Sequence, residues 1–375
     1  MEVLFNKPYI TGREMHHLAQ VAIHGKLSGN GHYTQMCHEF FEKRFGFRKV
    51  FLTTSCTDAL EMSAILCNIQ PGDEVIMPSY TFVSSANAFM LRGAVIRFAD
   101  TCGDYPNIDP EAVRQLITPK TRAIVVVHYA GVACDMDAIM KLAKEHDLFV
   151  VEDAAHSIDS YYKGKPLGSI GHFGTFSFHE TKNIISGEGG MLVVNDKKFI
   201  HRAEIIWEKG TNRAAFSRGE VQKYGWKDIG SSFLPSEITA AALFAQLEVF
   251  DEIQEKRKNH WNYYYNGLKS LEDSGLIKLP ALPDYATVSG NMFFIITKNH
   301  KERSALLGSL KKKGIQAVFH YLPLHSSDYF LDKHDGRILP QTDHFSGCIL
   351  RLPFYNEMKE AELNYVVESI KEFYS

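Results

Sequence analysis

The sequence lacks any close pair of cysteines, although it contains six of them. None stands in a C-x-x-C arrangement, and they are scattered along the chain: Cys37, Cys56, Cys67, Cys102, Cys134 and Cys348. This spacing argues against a zinc site and against a disulfide framework, so we expect no metal. Free thiols fit a reducing compartment, and residues 1–6 lack the basic and apolar regions of a signal peptide. We therefore expect a cytoplasmic protein.

A long apolar run and an excess of charge of one sign are also missing. No apolar run approaches the length of a bilayer-spanning helix, so we expect no membrane partner. The formal net charge is −3, which offers no bulk attraction to nucleic acid, and we expect none as a partner. Any phosphate-bearing ligand must therefore be held by local groups.

The first two thirds of the sequence alternate short apolar runs with helical patterns. Buried strands are predicted at 74–77, 95–98, 123–128, 148–152, 173–178 and 191–194. Helices are predicted over 58–67 and 136–145, with Asp135 as a candidate N-cap of the second. This alternation predicts an α/β fold with a mostly parallel sheet covered on both faces. Ligands on such a sheet bind beyond the carboxyl ends of the strands.

The pattern changes near residue 250, where a long charged and aromatic helix is predicted over 252–271. Beyond it we expect strands at 291–297 and 315–320 and helices at 301–313 and 357–373. A chain of 375 residues is long enough for one large and one small domain. We assign residues 1–249, including an N-terminal arm, to a large α/β domain and residues 250–375 to a smaller α+β domain.

The strongest chemical signal is the run Ser-Phe-His-Glu-Thr-Lys at 177–182, followed by Gly-Glu-Gly-Gly at 187–190. A lysine just past an apolar strand can form a Schiff base once its ammonium is desolvated. Asp153 follows another predicted strand, 29 residues before Lys182. A lysine imine together with an acid that pairs with a pyridinium nitrogen is typical of pyridoxal phosphate enzymes.

Small hydroxyl residues at 53–58 open a predicted helix, and free N–H groups at a helix start favour an anion. Ser177 adds a hydroxyl from the lysine strand. An ordinary N-cap is the alternative interpretation of this cluster. Asp153 has the same alternative, because acidic residues commonly cap helices.

Four other residues are candidates for the same site, and each has a structural alternative. His156 lies one helical turn beyond Asp153, within reach of a ring hydroxyl, although a single histidine is commonly structural. Phe82 is placed to stack on a flat ring or to pack in the core. Glu188 is a candidate general acid or a solvated turn residue. Cys56 at a helix start has the position of a reactive thiol, but no histidine is placed to support a cysteine hydrolase.

These residues, in this order, resemble the DegT/DnrJ/EryC/StrS sugar aminotransferases, a branch of the fold-type I aspartate aminotransferase superfamily. The resemblance runs nearly end to end and rests on the segments at 72–78, 80–82, 151–155, 177–183, 187–190 and 240–247. It implies an aspartate aminotransferase-like, pyridoxal phosphate-binding large domain and transaminase activity. Some relatives carry histidine at the lysine position and are dehydratases, whereas this chain has Lys182.

The resemblance also implies a role for each matching residue. Lys182 would bind the cofactor covalently and move a proton between the substrate carbon and the cofactor. Asp153 would pair with the pyridine nitrogen, and Phe82 would stack on the ring. His156 would lie near the ring hydroxyl, where many relatives have glutamine. The phosphate would be bound by three residues, the second through its backbone: Thr57, Asp58 and Ser177.

Relatives usually add an asparagine from the neighbouring subunit, in an Asn-Tyr-Arg motif. Here the segment at 230–235 reads Gly-Ser-Ser-Phe-Leu-Pro, so Ser232 stands in the asparagine position. This departure concerns the phosphate contact and leaves the lysine and the aspartate unaffected. We expect a homodimer with shared active sites.

Within the family, the segments at 78–84, 128–137, 208–213 and 228–232 resemble the TDP-4-keto-6-deoxyglucose 4-aminotransferases. This resemblance implies L-glutamate as amino donor and a TDP-linked keto-deoxy sugar as acceptor. The product would be 4-amino-4,6-dideoxygalactose for enterobacterial common antigen. Arg213, His320 and Tyr321 are candidate sugar and diphosphate contacts, with a solvated cation and a packed aromatic pair as the alternative.

Four other functions remain open. Two of these functions use the same cofactor but give a different product, which is either the gluco epimer or a sugar aminated at C3 instead of C4. A third is a cofactor-binding regulator without turnover, which intact Lys182 and Asp153 disfavour. The fourth is a sugar-nucleotide dehydratase, which the lysine at position 182 disfavours.

Overall fold

The computed structural model describes residues 1–375. The strands are, in chain order, β1 (Val50–Thr53), β2 (Glu74–Pro78), β3 (Val95–Ala99), β4 (Thr121–Val127), β5 (Phe149–Asp153), β6 (Tyr161–Tyr162), β7 (Lys165–Pro166), β8 (Phe173–Ser177), β9 (Gly190–Val194), β10 (Phe294–Ile296) and β11 (Ile349–Arg351). The α-helices are α1 (Glu14–His24), α2 (His32–Phe45), α3 (Cys56–Leu66), α4 (Val83–Met90), α5 (Pro110–Leu116), α6 (Met136–Glu145), α7 (Ile200–Trp207), α8 (Arg213–Ser217), α9 (Glu237–Leu247), α10 (Phe250–Asp273), α11 (His300–Lys312), α12 (Pro340–Cys348) and α13 (Glu360–Tyr374).

A seven-stranded sheet in the order β1-β9-β8-β5-β4-β2-β3 forms the centre of the molecule. The strands from β3 to β8 in this order pair in parallel, which confirms the predicted α/β fold. Their carboxyl ends therefore meet along one edge of the sheet. Asp153 ends β5 and Ser177 ends the neighbouring β8, so this edge gathers the residues that the sequence singled out.

Two strands depart from the parallel pattern. β9 runs antiparallel to β8, and β1, which the apolar pattern did not predict, runs antiparallel to β9. The connection between β8 and β9 contains no helix. Parallel neighbours need a crossover that is usually helical, so this connection returns the chain antiparallel. The same connection carries Lys182.

Helices cover both faces of the sheet, as predicted. Along β4, Val125 packs into a core cluster with α3 and α4, whereas Ile124 and Val126 pack into a second cluster with α6. The predicted N-cap of α6 forms, because Asp135 Oδ1 accepts a hydrogen bond of 3.1 Å from the Ala138 amide. Burial on both faces removes the alternation of polar and apolar residues that a half-exposed strand would show.

The C-terminal part contains a two-stranded sheet of β10 and β11 with α10, α11 and α13 around a core cluster of its own. The predicted strand at 291–297 is shortened to β10. At its beginning, the Gly290 and Asn291 carbonyls accept hydrogen bonds of 2.8 Å from the Arg257 side chain. The boundary between residues 249 and 250 remains a prediction.

The predicted strand at 315–320 does not form a ladder. Ile315 bridges Val3 of the N-terminal arm and Val318 bridges Arg351, so the segment pairs with two different partners, one residue each. Val3 also joins the C-terminal core cluster. None of the helices combines the length and the apolar character that a bilayer crossing requires.

Candidate active site

Lys182 lies in the loop after β8 and is partly exposed. It lies near Asp153 of the sheet and Arg351 of the C-terminal part, and the region between these two residues is called the cleft below. Burial of its ammonium lowers the pKa of Lys182 to about 8. The nearby positive charge of Arg351 contributes to this lowering, whereas the negative charge of the Asp153 carboxylate opposes it. At pH 7, about 10 % of a group with a pKa of 8 is neutral, against about 0.03 % at the ordinary value for lysine. About one tenth of the Lys182 side chains therefore carry a neutral, nucleophilic amine at pH 7.

Asp153 is buried at the end of β5, and both carboxylate oxygens are engaged. Ser85 Oγ donates a hydrogen bond of 2.6 Å to Oδ2, and the Ala155 amide donates one of 3.2 Å to Oδ1. The Thr81 hydroxyl contacts Ser85 Oγ at 2.8 Å and extends the chain of hydrogen bonds. Burial raises the pKa of Asp153, which the Ser85 bond partly offsets. A buried carboxylate of this kind is stabilised by a cationic partner.

His156 is buried beside the same strand end. The Ala130 amide donates a hydrogen bond of 3.4 Å to Nδ1, which assigns the ring proton to Nε2. Burial lowers the pKa of His156 well below its ordinary value, and the positive charge of Lys182 adds to this effect. The side chain is therefore a neutral donor with a free Nε2–H.

The beginning of α3 presents unpaired backbone amides. Ser55 Oγ caps the helix by accepting a hydrogen bond of 3.1 Å from the Asp58 amide, while the amides of Cys56 and Thr57 have no partner within the protein. A contact between the Asp58 amide and an anion would thus be shared with Ser55. Thr57 Oγ1 lies 2.8 Å from Ser84 Oγ, and these groups form a small polar cradle suited to an anion.

Gly190 explains part of the glycine run after the lysine. A Cβ built on Gly190 would lie 2.3 Å from the carbonyl carbon of Ser55. Only glycine allows β9 to approach the beginning of α3 this closely. The glycine run therefore allows β9 to lie against the beginning of α3, next to the groups that form the polar cradle.

An exposed aromatic ring lies beside three packed tyrosines, of which Tyr80 and Tyr129 are buried. The Phe82 side chain is 57 % exposed, and its ring centroid lies 6.4 Å from that of Tyr321. Tyr80 and Tyr129 have ring centroids 5.2 Å apart and lie 5.7 and 6.2 Å from Tyr321. Phe82 thus has an exposed ring beside Tyr80, Tyr129 and Tyr321, and we call these three tyrosines the aromatic wall.

The C-terminal part contributes His320, Tyr321 and Arg351. His320 Nδ1 lies 3.3 Å from the Tyr129 hydroxyl, and Arg351 Nη1 lies 3.3 Å from His320 Nε2. Burial lowers the pKa of His320, and the neighbouring Arg351 lowers it further. The sequence patterns did not reveal Arg351, whose only local signal is a single charge in an apolar strand.

Asn183 anchors the lysine loop. Its side-chain amide donates to Gln254 Oε1 at 2.8 Å and to the Ser289 carbonyl at 2.9 Å, and its Oδ1 accepts from Asn291 Nδ2 at 2.8 Å. All of these groups are buried. The residue next to Lys182 is therefore fixed to α10 and to the segment that precedes β10.

Comparison with known proteins identifies the kind of enzyme. Residues 8–371 match the model of the DegT/DnrJ/EryC1/StrS aminotransferase family. The chain belongs to this family. It is 32 % identical over 370 residues to GDP-perosamine synthase of Escherichia coli O157:H7, with 98 % of each chain covered. It is 30 % identical to the spore coat polysaccharide biosynthesis protein SpsC of Bacillus subtilis (strain 168), covering 98 % of this chain and 96 % of SpsC.

Solved structures of aminotransferases share the fold. TlmJ from Streptoalloteichus hindustanus superposes with a TM-score of 0.91 at 26 % identity, covering 100 % of this chain and 99 % of TlmJ. The putative sugar aminotransferase Spr1654 from Streptococcus pneumoniae, in its PMP-form, gives 0.91 at 25 % identity, with 99 % of each chain covered. The protein is thus a pyridoxal phosphate-dependent sugar aminotransferase with the predicted fold.

The residues present in the aminotransferase fit pyridoxal phosphate. Asp153 is a buried carboxylate suited to a protonated ring nitrogen, and the amides of Cys56 and Thr57 are free for a phosphate. Phe82 offers an exposed ring face, and Lys182 a partly neutral amine. When bound, the cofactor supplies an aldehyde that condenses with amines and a ring that withdraws electrons.

Two predicted residues of the aminotransferase lie apart from this group. Ser232 is exposed and bridges Glu208, and Arg213 begins α8 with an exposed side chain that forms no hydrogen bond or ion pair. Neither contacts Lys182 or Asp153 within the chain. Their roles remain predictions, and they depend on the homodimer that the resemblance implies.

The two alternative catalytic groups lose support. Burial and the nearby Asp153 carboxylate raise the pKa of Cys56, so its thiol stays protonated and is a poor nucleophile. Glu188 is 72 % exposed, with a carboxylate oxygen 3.8 Å from His179 Nε2. It has the environment of a solvated turn residue.

Proposed function

We propose that the aminotransferase moves the amino group of L-glutamate to C4 of dTDP-4-keto-6-deoxy-D-glucose. The product is dTDP-4-amino-4,6-dideoxy-D-galactose, a precursor of surface polysaccharide such as O-antigen or enterobacterial common antigen, made in the cytoplasm. The observation that carries the proposal is the depressed pKa of Lys182 beside the buried Asp153 carboxylate. The relatives named for perosamine and for spore coat polysaccharide support a sugar acceptor.

Lys182 is the proton carrier in this proposal. Its neutral amine takes a proton from the α-carbon of glutamate, which gives up its amino group to the cofactor, takes a keto oxygen from water and leaves as 2-oxoglutarate. In the second half of the reaction the keto sugar receives this amino group and loses its keto oxygen as water, and Lys182 Nζ delivers a proton to C4. A pKa of about 8 suits both tasks, because the amine must accept and release a proton near neutral pH.

The remaining residues hold and polarise the cofactor. Asp153 would pair with the ring nitrogen, His156 would donate its Nε2–H to the ring hydroxyl, and Phe82 would stack on the ring. Thr57 and Asp58 at the beginning of α3, with Ser177 at the end of β8, would hold the phosphate. In a homodimer, Ser232 of one subunit completes the site of the other.

The nucleotide sugar enters along the aromatic wall. His320 and Tyr321 lie there and are suited to the sugar, whereas the exposed Arg213 at the beginning of α8 is suited to the diphosphate of a sugar bound by the partner subunit. The relative named GDP-perosamine synthase supports a guanosine nucleotide as the second candidate. Substrate comparison therefore has to include both nucleotides.

Product NMR tests the proposal most directly. The purified enzyme is incubated with pyridoxal phosphate, L-glutamate and either dTDP-4-keto-6-deoxyglucose or a GDP-linked 4-keto-6-deoxyhexose. A small H3–H4 coupling indicates an axial amine and supports the galacto product. Two large couplings at H4 indicate the gluco epimer, and an amine at C3 indicates a 3-keto sugar as acceptor. A glutamate-dependent change of the cofactor spectrum excludes the regulator without turnover.

Light scattering after size-exclusion chromatography tests the shared site. We expect a homodimer, and we expect mixed dimers of Lys182→Ala and Ser232→Tyr subunits to regain part of the activity that each variant lacks. An active monomer would contradict the shared site.

A further inference from the structure

Ser79 and His325 join two segments that are far apart in the sequence. Ser79 begins residues 79–82, which we call the stacking segment, and His325 ends residues 319–325, which we call the wall segment. The Ser79 hydroxyl oxygen lies 2.8 Å from His325 Nδ1 and accepts a hydrogen bond of 3.0 Å from the His325 amide. The Leu324 amide donates to the Ser79 carbonyl at 3.1 Å. Three buried hydrogen bonds therefore connect the two segments.

The direction of the side-chain hydrogen bond follows from the His325 amide. Because Ser79 Oγ accepts from that amide, its own proton is free to be donated to Nδ1, which assigns the ring proton to Nε2. Nε2 faces Asp343 of α12, whose Oδ1 lies 3.5 Å away. These three residue types also form hydrolytic triads, but Ser79 is 0 % exposed, so no substrate reaches its hydroxyl. The arrangement is therefore a connection between segments and not a nucleophile.

The backbone of the wall segment is fixed at its two ends. Next to its first residue, Val318 and Arg351 exchange two backbone hydrogen bonds, of 3.1 and 2.7 Å. The backbone groups of residues 319–322 form no hydrogen bond. At the other end the segment is held by the contact with Ser79. Because Tyr321 lies between these two attachment points, the contact with Ser79 limits how far its ring can move.

The chain around and beyond His325 packs on the central sheet. Leu324, Phe330 and Leu339 belong to the core cluster that contains α3 and α4. The ring centroid of Phe330 lies 4.8 Å from that of Phe98 in β3. The wall segment thus crosses from the C-terminal sheet to the core of the central sheet, and His325 holds it where it arrives.

We propose that His325 is a positioning residue for the nucleotide sugar. Its hydrogen bond with Ser79 fixes the wall segment against the stacking segment, so that Tyr321 completes the aromatic wall beside Phe82 before the sugar binds. A site that is formed in advance avoids the entropic cost of ordering these side chains during binding. The proposal rests on the proposed function for the assignment of the aromatic wall to the sugar.

Substitutions at both ends of the hydrogen bond test the proposal in the holoenzyme. His325→Leu removes the acceptor, whereas His325→Asn keeps an oxygen acceptor close to the position of Nδ1. For His325→Leu we expect KM for the nucleotide sugar to rise about 10-fold, as for the loss of one hydrogen bond. The donor half-reaction with L-glutamate, followed by the cofactor absorbance, should stay within about threefold of the wild type. His325→Asn should restore most of the affinity for the sugar.

Ser79→Ala removes the other partner of the same hydrogen bond. It should raise KM for the sugar about as much as His325→Leu does. The double variant should be no worse than either single variant, because both substitutions remove one shared contact. Additive losses would mean that the two side chains act independently, which would contradict the proposal.

His172→Leu is the matched control. His172 Nδ1 accepts a hydrogen bond of 3.0 Å from the Val150 amide, near the beginning of β5 and away from Asp153 at its end. The variant removes the same kind of acceptor, so it should lower the thermal unfolding temperature without changing KM for the sugar. A rise of KM in this control equal to that in His325→Leu would mean that KM reports general destabilisation.

Hydrogen exchange measures the fixation of the wall segment without any substrate. The amides of Leu324 and His325 should be protected in the wild type, since both are bonded to Ser79. In His325→Leu and Ser79→Ala we expect the peptide 319–327 to exchange these two protons about tenfold faster. In His325→Asn and His172→Leu the exchange should stay near the wild-type rate.

The pH dependence of KM separates the hydrogen bond from packing of the ring. A protonated imidazole has no lone pair at Nδ1, so the Ser79 hydroxyl then loses its acceptor. Burial lowers the pKa of His325, the carboxylates of Asp343 and Asp100 oppose this, and the charge of His334 adds to it. In the wild type, KM for the sugar should therefore rise only below the ordinary histidine pKa of about 6.5. The rise should be absent from His325→Asn, because asparagine does not titrate.

Other outcomes separate this proposal from the proposed function. Equal losses in the donor and sugar half-reactions of His325→Leu, or unchanged exchange in the peptide 319–327, would overturn the positioning role. If His325→Leu does not fold, the pH profiles of the wild type and His325→Asn decide, and the same acid rise in both would contradict the proposal. A wild-type enzyme that reacts with L-glutamate but with neither nucleotide sugar would refute the proposed function, and the exchange rates alone would then decide the role of His325.

Discussion

Asp153 on the sheet side of the cleft and Arg351 on the C-terminal side differ in how their polar atoms are satisfied. On the side of the central sheet, Asp153 and His156 are fixed by hydrogen bonds from Ser85, Ala155 and Ala130. On the C-terminal side, Arg351 has a buried nitrogen without any partner. A resident cofactor needs a rigid, pre-organised site, whereas a substrate that enters and leaves supplies the missing partner only while it is bound. This contrast supports the proposal that the cofactor binds on the sheet side, beside Asp153 and His156.

Replacing Lys182 should give the largest effect on the sheet side. Lys182→Ala removes the group that accepts and returns the proton, so we expect amination to fall by at least about 10³-fold. The NMR assay measures the loss. Lys301→Ala changes an exposed lysine of α11 and should keep full activity. A Lys182→Ala enzyme that keeps more than a tenth of the wild-type rate would contradict the proposed role of Lys182 as proton carrier.

Substitution of two adjacent acids, Asp153 and Glu152, should separate an effect on the reaction rate from an effect on protein stability. Side chains alternate across a strand, so Asp153 faces the cleft while Glu152 accepts from the Gly168, Ile170 and Gly171 amides at 2.6–2.8 Å. Asp153→Asn should lower the amination rate about 100-fold and leave thermal stability nearly unchanged. Glu152→Gln should lower the free energy of unfolding by about 3 kcal/mol, because it leaves buried donors poorly paired. The reverse pattern would contradict this division of roles.

Mild acetylation of the cofactor-free protein examines the charge of Lys182. Neutral amines react, so the rate at Lys182 should rise about tenfold per pH unit and level off near pH 8, the folded pKa. The sign follows from burial, which favours the neutral form and lowers the pKa. Arg351→Met removes a nearby positive charge and should move the plateau to higher pH. Peptide-resolved mass spectrometry gives the rates, with the exposed Lys301 as the internal reference.

Asn183→Ala, which changes the contact between the lysine loop and the C-terminal part, should have a smaller effect on activity than the substitutions above. It leaves buried groups of Gln254 and Asn291 without partners, which costs about 1–3 kcal/mol of unfolding free energy. Because the lysine loop loses its anchor, kcat should fall about tenfold, while KM for glutamate changes little. Asn195→Ala removes comparable bonds to the Gly168 and Gly171 carbonyls and should reduce stability only. Equal kcat values for the two variants would refute a positioning role.

The smallest effect is expected at Glu188. Glu188→Gln changes a largely exposed turn carboxylate, so the amination rate should stay within about twofold of the wild type. The pH–rate profile should keep its shape. Loss of the alkaline limb of that profile, which reports deprotonation of a general acid, would return Glu188 to the list of candidate acids.

Local patterns in the sequence were sufficient for much of the fold. Apolar runs located most strands of the central sheet, and Asp135 was correctly predicted to cap α6. The lysine and acid after two strands indicated the cofactor, because parallel strands end at one edge of the sheet. These features depend on neighbours a few residues away or on a general property of α/β sheets. The prediction of a strand at 315–320 was wrong because its pairing is divided between Val3 and Arg351.

The sequence by itself determined the class of chemistry: a desolvated lysine, an acid for a ring nitrogen and a helix start for a phosphate. Only the tertiary structure decided how that chemistry is supported. It brought Ser85 to Asp153 across 68 residues, joined Asn183 to Asn291 across 108, and left Arg351 unpaired beside His320. These contacts depend on packing between distant segments, and the free energy of a buried polar group depends on which partners that packing delivers.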